Sequence, residues 1–201
     1  MSLSIQACAT SDLLEQSAQI GQCRRAALLG DQLTANDPAN TGARMAAITA
    51  YHNLAGRLDQ THQEGAVAEL RRANELADRL LEERPDMSPV RFIAGMEHQS
   101  LAKFLKARGD IAAALLQVRT AIRIREPLLF DPAEIRPRMM QAEAYSLAGD
   151  LEMRQAGCRA AVEAYRSAVT LYTQLQDQHK LDPEGEHLLA NAKRQIAGCA
   201  R

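Results

Sequence analysis

The sequence repeats itself about every 47 residues, and this internal repeat restricts the fold more than any other feature. An alanine two residues after an arginine recurs, at intervals of 47, 48 and 47 residues, at Ala26, Ala73, Ala121 and Ala168. A Leu-Ala pair recurs, 47 and 46 residues apart, at Leu54-Ala55, Leu101-Ala102 and Leu147-Ala148. Helix-stopping prolines stand, 47, 47 and 51 residues apart, at Pro38, Pro85, Pro132 and Pro183. Three independent series with nearly one period indicate a structural repeat.

Each repeat carries the signals of two antiparallel helices. In the third repeat, Ser88-Pro89 is typical of a helix start, because Ser caps the first turn and Pro has no N–H to lose there. Gly109-Asp110 ends that helix and begins the next. The chain is 46% hydrophobic but only 3% aromatic, so its apolar residues are mostly Ala and Leu, which favour helices. No alternating run predicts a strand, and the predicted fold class is all-α.

These signals predict helices over residues 11–35, 41–60, 65–84, 88–107, 110–130, 135–154, 158–179 and 184–199. Pro127 is expected to kink or end its helix, and Pro137 requires a helix that starts near Arg136. One helical pair cannot bury its apolar faces alone, so we expect the pairs to stack into an α-α superhelix, a solenoid. The predicted organisation is a disordered or vector-derived start (1–10), a repeat array (11–183) and a C-terminal capping helix (184–201).

The second half of the repeat resembles a tetratricopeptide repeat. The residues that carry the resemblance are Gly109-Asp110-Ile111, Ala114-Leu115, Val118 and Ala121-Ile122, and again Ala161-Val162, Tyr165 and Ala168-Val169. The resemblance covers residues 11 to about 180, although Gln19 and Cys23 depart from the pattern and the period exceeds the family's usual length of about 34. It implies a scaffold, not an enzyme, that binds a protein or peptide partner in a concave groove lined by the first helix of each pair.

A narrower resemblance connects the chain to the long-period repeats that follow the kinase domain in some bacterial serine/threonine kinases. It rests on Ala121-Ile122-Arg123-Ile124-Arg125-Glu126 and on the ending Arg194-Gln195-Ile196-Ala197-Gly198-Cys199. No glycine-rich loop, H-R-D or D-F-G is present, so the resemblance implies a non-catalytic regulatory or sensory region of a larger signalling protein. The alternative locations are the cytoplasm for a free-standing chain and an extracytoplasmic position for part of a membrane-anchored kinase.

Counting from the Leu-Ala pairs predicts which side chains of the first helices line the groove. They are His52, Phe92, Gln99, Lys103, Lys106, Arg138 and Tyr145. The two lysines form a predicted basic patch that could bind carboxylates of a partner, and the tyrosine could stack or donate a hydrogen bond. Solvated helix residues without a partner are the alternative interpretation.

The charge balance and the length of the apolar runs argue against two kinds of partner, nucleic acid and the membrane interior. With 24 basic and 25 acidic residues the formal charge is −1, which argues against nucleic acid. The recurring Arg24, Arg71, Arg119 and Arg166 are then expected to form helical ion pairs. No apolar run approaches the ~20 residues needed to cross a bilayer, so no membrane insertion is predicted. Self-association into a homo-oligomer stays open.

No cofactor, metal site or catalytic residue is predicted. His62 with Glu64, and Glu184 with Glu186 and His187, lack the ligand number and spacing of a zinc site. The four cysteines, Cys8, Cys23, Cys158 and Cys199, are far apart in sequence, which favours small buried thiols over disulfides.

Overall fold

The structure, a computed structural model, describes residues 16–60, 64–130 and 134–200 of the chain. These residues form α-helices, one short 3-10 helix and no strand, which confirms the all-α class for this part of the chain. The helices are α1 (Gln16–Asn36), α2 (Thr41–Gln60), α3 (Ala66–Glu83), α4 (Ser88–Ala107), α5 (Ile111–Arg125), α6 (Ile135–Ala156), α7 (Cys158–Asp177) and α8 (Pro183–Cys199).

Local signals in the sequence position the helix ends. The Oδ1 atom of Asp110 accepts a hydrogen bond from the backbone N–H of Ala113 at 3.2 Å, and this bond caps α5. The Oδ1 atom of Asp182 caps α8 in the same way, from the N–H of Gly185 at 2.8 Å. Gly109, between α4 and α5, has a φ of 81°, a left-handed conformation that glycine adopts without strain. The predicted break at Gly109-Asp110 is therefore confirmed.

Two prolines lie at helix ends, Pro127 after α5 and Pro137 near the start of α6. The helix α5 ends at Arg125, and the chain continues as a 3-10 helix, Glu126–Leu129, that contains Pro127. Pro137 is the third residue of α6, in the first turn, where backbone N–H groups have no acceptor within the helix. Both expectations about these prolines are confirmed.

The chain divides into two compact units, Met1–Glu97 and His98–Arg201, with the boundary inside α4. In the first unit α1 packs against α2 and α2 packs against α3. Small residues bring α1 and α2 together: a Cβ atom added to Gly30 would lie 2.8 Å from the Cα atom of Ala47. The buried cluster at this contact consists of Ala26, Ala27 and Ala50, with Tyr51 packed against it.

In the second unit each helix packs against the next one along the chain, α5 on α6, α6 on α7 and α7 on α8. The ring of Tyr165 on α7 lies directly against Gly149 of α6, where a Cβ atom would come within 2.7 Å of the ring. Leu189 and Ala192 of α8, both buried, also pack against residues of α7. Sequential pairing of this kind is the packing of a helical repeat protein.

The expectation of free buried thiols is wrong for the cysteines that the structure describes. Cys158 and Cys199 form a disulfide with a Cα–Cα distance of 5.2 Å, and Cys23 is disulfide-bonded as well. Cys158 begins α7 and Cys199 ends α8. Because these neighbouring helices run antiparallel, the start of one lies beside the end of the other, although 41 residues separate the two cysteines in sequence.

Candidate partner-binding surface

The two predicted groove lysines lie between α4 and α6 in the second unit, and each faces a carboxylate. The Nζ atom of Lys106 lies 2.6 Å from Oδ2 of Asp150, and the Nζ atom of Lys103 lies 3.5 Å from Oε2 of Glu143. The surface is therefore not the basic patch that the sequence suggests but a row of paired charges. We call these four residues the α4–α6 charge row.

Gln99 lies beneath the charge row and is only 2% exposed. Its amide Nε2 donates to Glu143 at 3.2 Å, and its carbonyl oxygen accepts a hydrogen bond from Arg125 of α5. Burial lowers the pKa of the Arg125 guanidinium from 12.5 to about 10, and the nearby Glu143 opposes this shift. Gln99 thus connects α4, α5 and α6 and does not itself face solvent.

Asp150 connects the charge row to the core of the second unit. Its Oδ1 atom accepts a hydrogen bond from the hydroxyl of Tyr165 at 2.9 Å, while its Oδ2 atom contacts Lys106. Burial, and secondarily the carboxylate of Asp150, raises the pKa of Tyr165 far above its usual value, so the phenol stays a donor. The position of Lys106 is therefore supported by a fully packed side chain of α7.

In the first unit, His52 of α2 contacts a buried carboxylate of α4. Its Nδ1 atom lies 3.0 Å from Oε2 of Glu97, whose side chain is fully buried. The hydrogen bond from Glu97 raises the pKa of His52 above 6.5, against the opposing effect of burial. The backbone carbonyl of Glu97 also accepts from Asn74 of α3 at 3.2 Å.

The other three predicted groove residues lie elsewhere. Phe92 is half-buried on the part of α4 that belongs to the first unit. Arg138 donates to the carbonyl of Leu129 at 2.9 Å and to Gln174 of α7 at 3.3 Å. Tyr145 packs against the buried cluster around Tyr172. None of these contacts joins them to the α4–α6 charge row.

A register difference on α6 explains this separation. The sequence analysis placed Arg138 and Tyr145, seven residues apart, toward the groove. The structure places Glu143 and Asp150, also seven residues apart, opposite α4. Glu143 precedes Tyr145 by two residues. Each residue advances by about 100° around a helix, so the two side chains point about 200° apart. The missed signal is a spacing of 44 residues, which separates Gln99 from Glu143 and Lys106 from Asp150.

Of the four recurring arginines of the second helices, Arg166 forms an ion pair within its own helix and Arg119 forms one with another helix. Arg166 contacts Glu163 at 2.7 Å, as its helical spacing predicts. Arg119 contacts Glu152 of α6 at 2.7 Å. Glu75, expected opposite Arg71, lies 3.7 Å from Arg72 and 3.8 Å from Arg79.

Neither a metal-binding group nor a membrane-spanning helix occurs among the described residues. None of their groups of His, Cys, Asp and Glu could hold a metal ion, although His62 lies outside the described ranges. None of the helices there is long and apolar enough to span a membrane. No protein-family model matches the sequence, and no curated protein matches it significantly.

Proposed function

We propose that the chain is a repeat array of the tetratricopeptide kind that holds a protein or peptide partner and is not itself a catalyst. The spacing of alternate helices supports the array. The helices α2, α4, α6 and α8 begin, at intervals of 47, 47 and 48 residues, at Thr41, Ser88, Ile135 and Pro183. Helices recurring at one interval are typical of proteins whose neighbouring repeats share a core and present an extended face to partners.

The exposed ion pair of Lys103 and Glu143 is the observation that carries the partner-binding proposal. Their side chains are 58% and 31% exposed. An ion pair this exposed contributes only about 0–1 kcal/mol to stability, because water screens the charges and the side chains lose entropy. The fold therefore depends little on it, and both groups can exchange their mutual contact for charged groups of a partner.

The surroundings of this pair keep it at a defined position. Glu143 is also held by Gln99, which is hydrogen-bonded to the buried Arg125. The next pair along the same helices, Lys106 with Asp150, is anchored by a tyrosine of α7. Prearranged donors and acceptors lose less entropy on binding than mobile ones, which favours recognition of a polar peptide on this face.

Capture from a lysate of the source organism, followed by titration of the purified partner, tests the proposal. The test variant is Lys103→Glu, and the matched control is Lys193→Glu, the same charge change on the exposed face of α8. We expect Lys103→Glu to weaken binding at least tenfold and Lys193→Glu to leave it within twofold. Equal effects of the two variants would remove the charge row from the proposal, and failure of the wild type to capture a partner would contradict binding itself.

A second variant separates recognition from folding. Lys103→Gln removes the cation but leaves Glu143 in contact with Gln99 and near the buried Arg125, so we expect an unchanged melting temperature. If the partner recognises the charge of Lys103, binding weakens in this variant without loss of stability. Weaker binding together with a lower melting temperature would mean that the pair acts on the fold. Catalytic turnover by the purified chain would contradict the non-catalytic part of the proposal.

A further inference from the structure

The helix α8 is packed firmly along its first half and weakly along its second. Leu189 is buried in a cluster with Ala142, Ala168 and Tyr172, and Ala192 is buried against Ala161 and Tyr165. After Ala192 no residue of α8 is buried. Of these later residues, Ile196 packs onto the cluster of Ala161, Tyr165 and Ala192, and it is half-buried there.

The disulfide lies where this packing is weakest. Cys199 is the last residue of α8, and it is bonded to Cys158, the first residue of α7. The segment after Ala192 ends a helix, and a helix end frays readily when few side chains pack against it, because its last carbonyl groups have no partner within the helix. Gly198 lowers the helix propensity of this segment further. The covalent bond is therefore the main restraint on the end of α8.

This restraint is connected to the charge row through direct contacts. Ile196 and Ala192 pack on the cluster that contains Tyr165. The hydroxyl of Tyr165 donates to Asp150, and the same carboxylate contacts Lys106. Loss of the second half of α8 removes Ile196 from this cluster, and Tyr165 of the same cluster holds the carboxylate that pairs with Lys106.

We propose that the Cys158–Cys199 disulfide is a redox latch, which holds the second half of α8 on α7 and thereby the Lys106 end of the charge row. Both cysteines are half-buried, so a small dithiol can reach the bond. One sulfur of a dithiol reductant attacks the disulfide, and its second sulfur resolves the mixed disulfide. The protein bond becomes two thiols, and the reductant, losing two electrons and two protons, becomes a cyclic disulfide. The latch closes in an oxidising compartment and opens in a reducing one.

Two measurements on the full chain test the latch without any partner. Failure of the latch is therefore distinguishable from failure of the partner-binding proposal. Only the effect of the latch at Lys106 rests on that proposal. The first is mass spectrometry of a non-reduced digest. We expect a peptide pair that joins Cys158 to Cys199, and free thiols at these positions would overturn the proposal.

The second is amide hydrogen exchange of the oxidised wild type and of the Cys158→Ser/Cys199→Ser variant, both without reductant so that the Cys23 disulfide stays intact. We expect amides of residues 194–199 to exchange at least tenfold faster in the variant, while amides in the first half of α8 stay within threefold. A dithiol added to the variant should produce no further change in this segment.

Equal exchange of residues 194–199 in the two proteins would overturn the latch. If the variant does not fold, the wild type is compared before and after reduction by dithiothreitol. This also reduces the Cys23 disulfide of the first unit, so the comparison is made within α8, with its first half as internal reference. The effect on the charge row is measured by titrating the captured partner against oxidised wild type and the variant. We expect weaker binding by the variant, and equal affinity would confine the latch to α8.

Discussion

A single methyl group added at Gly149 tests the close approach of α6 and α7. A Cβ atom there would lie 2.7 Å from Cδ1 and Cε1 of Tyr165. Carbon atoms repel strongly at this distance, and the tyrosine ring cannot withdraw easily, because it is 2% exposed and its hydroxyl is bonded to Asp150. Gly149→Ala must therefore move the ring or separate the helices.

Gly56 is the matched control, because it occupies the same place after the Leu-Ala pair of an earlier repeat. A Cβ atom at Gly56 would meet nothing within 4 Å. Alanine is favoured over glycine in a helix by about 1 kcal/mol, so Gly56→Ala should stabilise the protein by up to that amount. At Gly149 the same gain is opposed by overpacking of about 1–3 kcal/mol. We expect the two variants to differ by about 1–3 kcal/mol, with Gly149→Ala the less stable.

Urea unfolding followed by circular dichroism measures this difference. Each kcal/mol corresponds to roughly 2–4 °C in melting temperature for a chain of this size, so thermal melts provide a second readout. Replacing the ring, in Gly149→Ala/Tyr165→Leu, should make the alanine less costly than it is beside tyrosine, as a double-mutant cycle shows. Equal stability of Gly149→Ala and Gly56→Ala, or a cycle without coupling, would refute the close approach of α6 to Tyr165.

Three further predictions concern buried polar contacts. Because Glu97 raises the pKa of His52 in the folded state, the pair stabilises the protein fully below pH about 6.5 and loses this effect as pH rises through the folded pKa. The unfolding free-energy difference between wild type and His52→Gln should therefore shrink as the pH rises above about 6.5, and a constant difference in urea titrations over this range contradicts it. Gln99→Met removes the carbonyl acceptor of the buried Arg125 and should cost about 1.5–3 kcal/mol in urea unfolding; a cost under about 0.5 kcal/mol would rule out this contact as a stabilising one. Tyr165→Phe removes one hydrogen bond to a carboxylate and should cost about 1 kcal/mol, seen as a lower melting temperature; an unchanged melting temperature would contradict it.

Local chemistry made the helix boundaries predictable. Gly109-Asp110 and Asp182-Pro183 carry their signals within a few residues, and the structure begins helices directly after both aspartates. Pro127 could be interpreted from sequence because a proline beyond the first turn removes a backbone hydrogen bond and kinks or ends an α-helix. The predicted bounds of α2 and α4 agree with the structure at both ends. Such features depend on neighbours in the chain, which a sequence displays directly.

The candidate site was less predictable, because it depends on how helices are rotated against one another. Counting from the Leu-Ala pairs placed Gln99, Lys103 and Lys106 on the groove face of α4, but it gave no acidic partner to any of them. Arg125 stands in an apolar stripe, where nothing in the local sequence predicts a buried guanidinium. Gln99 of α4 accepts a hydrogen bond from it, and the carboxylate of Glu143 on α6 favours its charge.

The sequence by itself determined that this chain is helical, where most helices begin and end, and that helix pairs recur at a regular interval. These properties follow from caps, glycines, prolines and apolar spacing, all of which act over a few residues. Only the tertiary structure decided that Cys158 meets Cys199 and that Glu143 and Asp150 face the lysines of α4. Both facts depend on the direction and rotation of packed helices, since a rotation of one helix by a fraction of a turn exchanges the groups that lie opposite its neighbour.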